Sequence, residues 1–321
     1  MSNTTAPPPQ QRRILCVGMC VLDVIHLVEQ YPVEDTDKRC LAGYWQRGGN
    51  ASNNCTVLRQ LGAPQVEFLG MLSASPAFAF LYEDCRKRNI IIENCPSTDM
   101  DPPFSSVILN KASGSRTIIH SNPGFPTLEH EHGKRLDLSN YGWVHFEGRN
   151  NASVLQFIRD IRKHNKELRK PKERIRISVD LEKMKDEILE LGEAADFVFL
   201  GKDLALHLGW REPAAAVMGL YDRLKPQQEL GDTKPAIICP WGAEGAGCVD
   251  AEGNYAFIPS KPVGEIVDSL GAGDTFCAAV IYALQVLEKS LQAAVRFGHA
   301  VAGYKLGYRG YDDIAHFRQD E

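Results

Sequence analysis

Short apolar runs alternate with longer amphipathic stretches through the second half of this chain, and that alternation limits the fold more than any other feature. The runs at 143–146, 175–179, 197–200 and 236–239 are too short for helices and too apolar for solvated loops. Runs of this length read as strands buried on both faces. Strands separated by amphipathic helices form a mostly parallel sheet with helices on both sides. The runs at 14–18 and 66–70 fit the same sheet. The expected class is therefore α/β, a doubly wound, mostly parallel sheet covered by helices on both faces.

The segments between these strands have other patterns. Residues 39–46 read as extended and end at Arg47-Gly48-Gly49. A helix is expected from Asn50, with Ser52 and Asn53 as capping types, Val57, Leu58 and Leu61 on one face, and Gly62 at its end. Residues 78–88 read as a further helix. Residues 105–110 and 116–120, joined by Lys111-Ala112-Ser113-Gly114-Ser115, form a hairpin pattern. With the segment from about 22 to 46, the hairpin region (about 103–122) is expected to form a small β-sheet lid. A late antiparallel hairpin is expected at 247–250 and 255–258, and helices from Thr275 and Leu291. There are no repeats and no long linker. The expected organisation is a single domain over 12–321, preceded by a disordered tail over 1–11 that carries Pro7-Pro8-Pro9 and lacks the apolar core of a signal peptide.

Composition narrows the partners. The net charge of -5, with no strongly basic region, weighs against nucleic acid. No apolar run approaches the ~20 residues that span a bilayer, so no membrane partner is expected. The nine cysteines are scattered, odd in number and without a CxxC pair, which weighs against a zinc site or a disulfide framework and suits a cytoplasmic protein.

The most informative segment is Asp268-Ser269-Leu270-Gly271-Ala272-Gly273-Asp274-Thr275-Phe276. Two glycines let the backbone turn closely and bare its N–H groups, and a helix pattern follows at Phe276, Val280 and Leu287. A helix N-terminus offers free donors and partial positive charge, suited to a phosphate or to charge developing in phosphoryl transfer. An aspartate there can accept the proton of an attacking hydroxyl. The same spacing also fits a structural turn with Asp274 as a helix cap. It is not a Walker loop, because the Lys-Ser/Thr ending is absent. Elsewhere, Asp23 lies beyond the first strand, where ligands of open α/β sheets bind, though a surface acid would look the same. Asn50 and Asn53 carry amides that match sugar hydroxyls, or that cap a helix. Gly242-Ala243-Glu244-Gly245 is a turn between strands, a weak nucleotide signal alone.

Together these segments resemble the ribokinase-like, or PfkB, carbohydrate kinases. Asp268-x-x-Gly271-Ala272-Gly273-Asp274-Thr275-Phe276 is similar to that family's C-terminal signature, and Gly48-Gly49-Asn50-Ala51-Ser52-Asn53 to its sugar-binding segment. Val21-Leu22-Asp23-Val24, Ala112 to Ile118, Glu147-Gly148-Arg149-Asn150 and Arg296-Phe297-Gly298 resemble the branch that acts on ketohexoses. The resemblance runs from about Ile14 to Asp312. It implies transfer of ATP's γ-phosphoryl group to the C1 hydroxyl of fructose, with Mg²⁺ accompanying the nucleotide. Asp274 would be the base. Ala272, Gly273 and Asp274, entered through Gly271, would form the anion hole. Asp23, Gly49, Asn50 and Asn53 would hold the sugar. Gly242, Ala243, Glu244, Gly245 and Arg116 would contact ATP. A monovalent cation such as K⁺, supported by Asp268, and a homodimer through the lid are further implications. Val107 and Leu109, alternating with Thr117 and Ile119, leave room for a buried lid face.

The pattern departs from the family in two places. The Asn-x-x-Glu that helps organise magnesium in many members is replaced by Gly201-Lys202-Asp203-Leu204, which leaves the metal ligands unnamed, with Asp203 and Glu244 as candidates. Gly242-Ala243 stands where the ketohexose branch has Ala-Glu. Two rival readings follow: the same chemistry on ribose, another ketose or adenosine, and a sugar sensor or scaffold on a silent kinase fold. Loss of the base would favour the sensor, but Asp274 and its glycines are intact.

Overall fold

The computed structural model describes residues 11–122, 124–225 and 233–318; the expected N-terminal tail, apart from Gln11, lies outside them. The chain opens with β1 (Arg13–Val17) and then leaves the sheet that strand begins. β2 (Val21–Val28) and β3 (Ala42–Gly48) pair antiparallel and lead into α1 (Asn50–Gln60). β4 (Val66–Leu69) returns beside β1. The short β5 (Leu72–Ser73), α2 (Phe80–Lys87) and the short β6 (Ser97–Thr98) follow, and then a hairpin of β7 (Phe104–Asn110) and β8 (Arg116–Ser121). From there strand and helix alternate through α3 (His130–Gly133), β9 (Tyr141–Glu147), α4 (Asn151–Glu167), β10 (Arg176–Leu181), α5 (Leu189–Ala194) and β11 (Phe197–Leu200). α6 (Lys202–His207), α7 (Pro213–Arg223) and β12 (Ala236–Pro240) come next. The hairpin β13 (Gly245–Val249) and β14 (Tyr255–Pro259) precedes α8 (Ala272–Gln285) and α9 (Leu291–Leu306).

The main sheet has eight strands in the order β14-β13-β12-β11-β10-β9-β1-β4. The strands from β12 to β4 are parallel, and the late hairpin adds an antiparallel edge. Period-2 alternation sends neighbouring side chains to opposite faces. Ile14, Cys16 and Trp143 join the core under α1, α8 and α9, while Leu15, Val17, Val144 and Phe146 join the core under α4, α5 and α7. Each large apolar side chain buried this way contributes roughly 1.5–3 kcal/mol. These two cores explain why the short runs are apolar along their whole length.

The second sheet has the order β3-β2-β7-β8 and a small core of its own, Ile25, Leu27, Val107, Leu109 and Leu270. β2 and β3 lie in the segment from about 22 to 46 expected to join the hairpin in a small sheet, although the sequence pattern marks no separate strand over 21–28. Asp23 is buried within this strand and His26 interrupts its apolar run, so the pattern is masked. α1 starts at Asn50 as expected, but its cap differs. Its N-cap is Gly49, with no side-chain cap, so neither Ser52 nor Asn53 does that job. Gly62, at φ +91, does follow the end of the helix, and the Ala63 N–H bonds back to the Leu58 carbonyl.

Candidate active site

The chain switches direction between β1 and β9: it goes to β4 on one side of β1 and later to β9 on the other. Open α/β sheets bind ligands in the crevice at such a point, beyond the carboxyl ends of the strands. Here the Met19 N–H after β1 donates to Glu147 Oε2 at the end of β9, at 3.0 Å, and Arg149 Nε donates to Glu147 Oε1 at 2.5 Å. A cavity of about 800 Å³ opens beside them, lined by Gly18, Met19, Glu147, Arg149 and Lys183 among others; Asp274 does not line it.

α1 is brought against this crevice by backbone that only glycine tolerates. Gly49 has φ +94, and a Cβ there would lie 2.2 Å from the Met19 carbonyl oxygen. The buried Arg47 anchors the approach, donating to Asp84 at 2.7 Å and to the Ser52 carbonyl at 3.0 Å. Residues three and four apart share a helix face. Asn50 Nδ2 accordingly donates to Asp180 Oδ2 at 3.3 Å, Asn53 Nδ2 to Asp274 Oδ2 at 2.7 Å, and Asn54 Nδ2 to the Asp274 carbonyl at 2.9 Å. Asn53 Oδ1 is buried and without a partner among the described residues. A buried acceptor left open in this way is free for an incoming hydroxyl.

Asp274 lies in the first turn of α8, whose N-cap is Gly271 in the left-handed region at φ +70 and ψ 16. Asp274 is therefore not the cap. The Thr275 N–H bonds to the Gly271 carbonyl at 2.9 Å, and the Ala272 N–H makes a long 3.4 Å bond to the Ser269 carbonyl. Of the three expected anion-hole amides, those of Gly273 and Asp274 stay free among the described residues, while Ala272's is partly engaged. A Cβ on Gly273 would meet open space, so the helix end has room in front of it. Burial pushes the Asp274 carboxyl from an ordinary 3.8 up to about 7; Asn53's hydrogen bond works against that rise, and the charges of Glu182, Glu147 and Asp23 add to it.

Asp23 reaches the same place from the second sheet, on strand β2 and not on a loop beyond β1. It is 6 % exposed, and burial pushes its carboxyl up to about 6 against a hydrogen bond with Ser105. A Cβ on Gly48 would lie 2.1 Å from Asp23 Oδ2, so that glycine makes room for the carboxylate. Asp180, at the end of β10, is held well above the usual carboxylate range by burial and by the nearby charges of Glu182 and Asp274. The gap between the two sheets thus collects more negative charge than it balances.

The remaining predicted residues lie around this centre. Gly242 to Glu244 form an exposed turn at the end of β12, and Gly245 has φ +136. Among the described residues the turn's ties run to Ser260, which donates to the Ala243 carbonyl, and to Lys202, whose ammonium lies 3.8 Å from Glu244 Oε1. Asp203 is exposed in the first turn of α6. Arg116 is exposed at the start of β8, close enough for its charge to disfavour the Lys305 ammonium. Asp268 departs from expectation. Its carboxylate is not open to a free ion, because it accepts from Lys305 Nζ at 2.9 Å, from the Leu270 N–H at 2.8 Å and from the Gly310 N–H at 2.9 Å.

Comparison with known proteins defines the class. The pattern of the pfkB family carbohydrate kinases matches residues 11–316, so the chain belongs to that family. Mouse ketohexokinase is 40% identical over 306 residues, which span 95% of this chain and 99% of the mouse protein. The ribokinase of Giardia lamblia has the same fold, with a TM-score of 0.78 at 14% identity over 95% of this chain and 96% of its own. Arabidopsis thaliana ribokinase, solved with ribose and ATP, gives 0.73 at 19% identity over 97% and 96%. Family and fold are those the sequence motifs point to. No helix among the described residues is long and apolar enough to cross a membrane.

Sequence reasoning missed Asn54, Asp180, Glu182, Lys305 and Tyr311 near this centre, and quoted Glu147 only as part of a motif, with no role. Asn54 carried a signal, since it shares a helix face with Asn50. Glu147 and Asp180 are acids at strand exits, the signal that marked Asp23. Nothing local marked Lys305 or Tyr311.

Proposed function

We propose that the protein transfers the γ-phosphoryl group of ATP to the C1 hydroxyl of D-fructose, giving fructose 1-phosphate and ADP. The observation that carries this reading is the 2.7 Å bond from Asn53 to Asp274. It joins the segment that resembles a sugar site to a carboxylate at a helix N-terminus that offers free amides. The 40% identity to mouse ketohexokinase over nearly the full chain supports fructose as the acceptor.

In this reading Asn50, Asn53 and Asp23 bind the sugar hydroxyls, and Gly49 lets backbone come close. Asp274 accepts the proton of the C1 hydroxyl as attack proceeds. The amides of Gly273 and Asp274, with that of Ala272, stabilise the charge on the transferred group. The Gly242–Gly245 turn holds the nucleotide, and Arg116 reaches its phosphates from the second sheet. The second sheet acts as a lid that excludes water. Magnesium bound with ATP supplies positive charge to the phosphate oxygens. Among the described residues no group of three or more His, Cys, Asp or Glu side chains is placed to hold a metal, so phosphate oxygens and water would hold such an ion. The oxygens around Asp268 do not fit a free monovalent ion, because a lysine ammonium already uses them.

The lid also supports a homodimer. Trp45, Phe104, Ile118 and Ile119 leave apolar surface exposed on this sheet, with Ile119 61 % exposed. All nine cysteines are unpaired, which suits a reducing cytoplasm. The test is a coupled ADP-release assay over fructose, other ketoses, ribose and adenosine, with the product's phosphate position read by NMR. Fructose is expected to give the highest kcat/KM and a C1 phosphate. Faster turnover of ribose or adenosine would overturn the assignment.

A further inference from the structure

Lys305, in α9, has a fully buried side chain. An ammonium away from water must find acceptors for all three of its N–H groups. Lys305 Nζ finds Asp268 Oδ2 at 2.9 Å, the Asp268 carbonyl at 2.9 Å and the Leu270 carbonyl at 2.5 Å, with the Tyr311 ring 5.7 Å away. A carboxylate and two main-chain carbonyls around one positive charge are the kind of oxygen set that holds a bare monovalent cation. Here the charge is tethered to the chain.

Both carbonyls belong to the turn that enters α8. The same turn carries contacts to the second sheet. Leu270 packs into that sheet's small core, and Ser269 Oγ donates to the Gly114 carbonyl at 3.0 Å. Lys305 therefore pins the segment where the helix end and the lid meet. We infer that Lys305 is a positioning residue: its ammonium takes the place of a free monovalent ion and sets the 268–271 turn, and through it the amides at the start of α8. This rests on reading those amides as the anion hole. A purely structural buried ion pair would support folding without tuning turnover, and the two are separable by experiment.

The full-length Lys305→Ala and Lys305→Met variants are compared with the parent for kcat, fructose KM and thermal midpoint. Each is assayed in choline chloride and with ammonium, methylammonium or potassium at equal ionic strength. A displaced anion hole predicts that kcat in Lys305→Ala falls about 100-fold while KM changes little. Small cations then restore about tenfold of it, a response well beyond the parent's, by entering the space the side chain leaves. Lys305→Met fills that space without charge and is not rescued. A folded Lys305→Ala with parental kcat, or one whose loss ignores added cations, overturns the inference. Should neither variant fold, Asp268→Asn keeps the packing and weakens the hold on the ammonium; an unchanged kcat there overturns it equally. A dead Asp274→Asn beside a fully active Lys305→Ala removes only the role of Lys305, whereas an active Asp274→Asn removes the proposed base, and with it the catalytic reading on which this inference rests.

Discussion

A single methyl group at Gly271 is expected to damage this protein out of proportion to its size. Gly271 is the N-cap of α8 and sits at φ +70, where a side chain costs about 1 kcal/mol in the backbone alone. A Cβ there would lie 1.9 Å from Tyr311 Oη and 2.8 Å from Cζ. Heavy atoms in contact sit roughly 3.5 Å apart, so something must move by roughly 1.6 Å. Tyr311 is 4 % exposed and packed in the core, so it cannot swing away. Overpacking of this kind adds about 1–3 kcal/mol. Gly271→Ala should then lose about 2–4 kcal/mol, which lowers the thermal midpoint by roughly 3–6 °C in a chain of this length. The displaced amides should cut kcat by about 100-fold. Tyr311 Oη is buried without a partner among the described residues, so Tyr311→Phe alone should be close to neutral. Adding Tyr311→Phe to Gly271→Ala removes the closest clash but leaves the ring carbon, and should return about 1 kcal/mol as coupling. The assay is a thermal melt and steady-state kinetics on the four proteins. A Gly271→Ala variant with parental midpoint and kcat, or a double variant that recovers nothing, would refute the steric argument.

Four further predictions concern the carboxylates. kcat/KM for the sugar should rise with pH and level off above about 7, where Asp274 ionises; a profile flat from pH 5 to 9 would contradict this. Asn53→Ala removes the hydrogen bond that favours the charged form, so it should move that limb to higher pH and raise KM, both readable in the same titration. Because Asp274 has a folded pKa above its ordinary 3.8, the folded protein holds this proton longer than the unfolded chain. Its contribution to stability should therefore fall as pH rises from 3.8 through about 7, a decline that urea midpoints should show flattened in Asp274→Asn. Asp23→Asn keeps the shape and removes the buried charge; KM for fructose should rise about tenfold or more with a smaller change in kcat, as calorimetric binding can confirm.

The main sheet was legible because β9 to β12 are buried on both faces, which leaves short unbroken apolar runs between amphipathic helices. β2 was not, because Asp23 and His26 interrupt its apolar pattern. The cap of α1 misled for a related reason. Asn53 has the chemistry of a cap but turns its amide to Asp274, while Ser52 is engaged by Arg47. Within the site, spacing left Asp274, Asn50 and Asn53 open between a site and a helix cap, and the family resemblance of their local motifs, with Gly49, pointed to the site. Asp180, Glu147 and Lys305 arrive from distant strands and helices, where only tertiary structure shows what they meet. A lone lysine late in an amphipathic helix reads as a solvated charge, and nothing in its neighbours reveals that it is sealed against Asp268.

The central claim is that Asp274 takes the proton of the sugar hydroxyl. Asp274→Asn keeps the side chain's size, and its amide oxygen can still accept from Asn53, but it cannot serve as a base. The measurement is steady-state ADP release at saturating fructose and ATP, beside fructose binding by calorimetry. The account predicts a fall in kcat of about 1,000-fold with fructose affinity little changed. Near-parental kcat in a folded Asp274→Asn would contradict it.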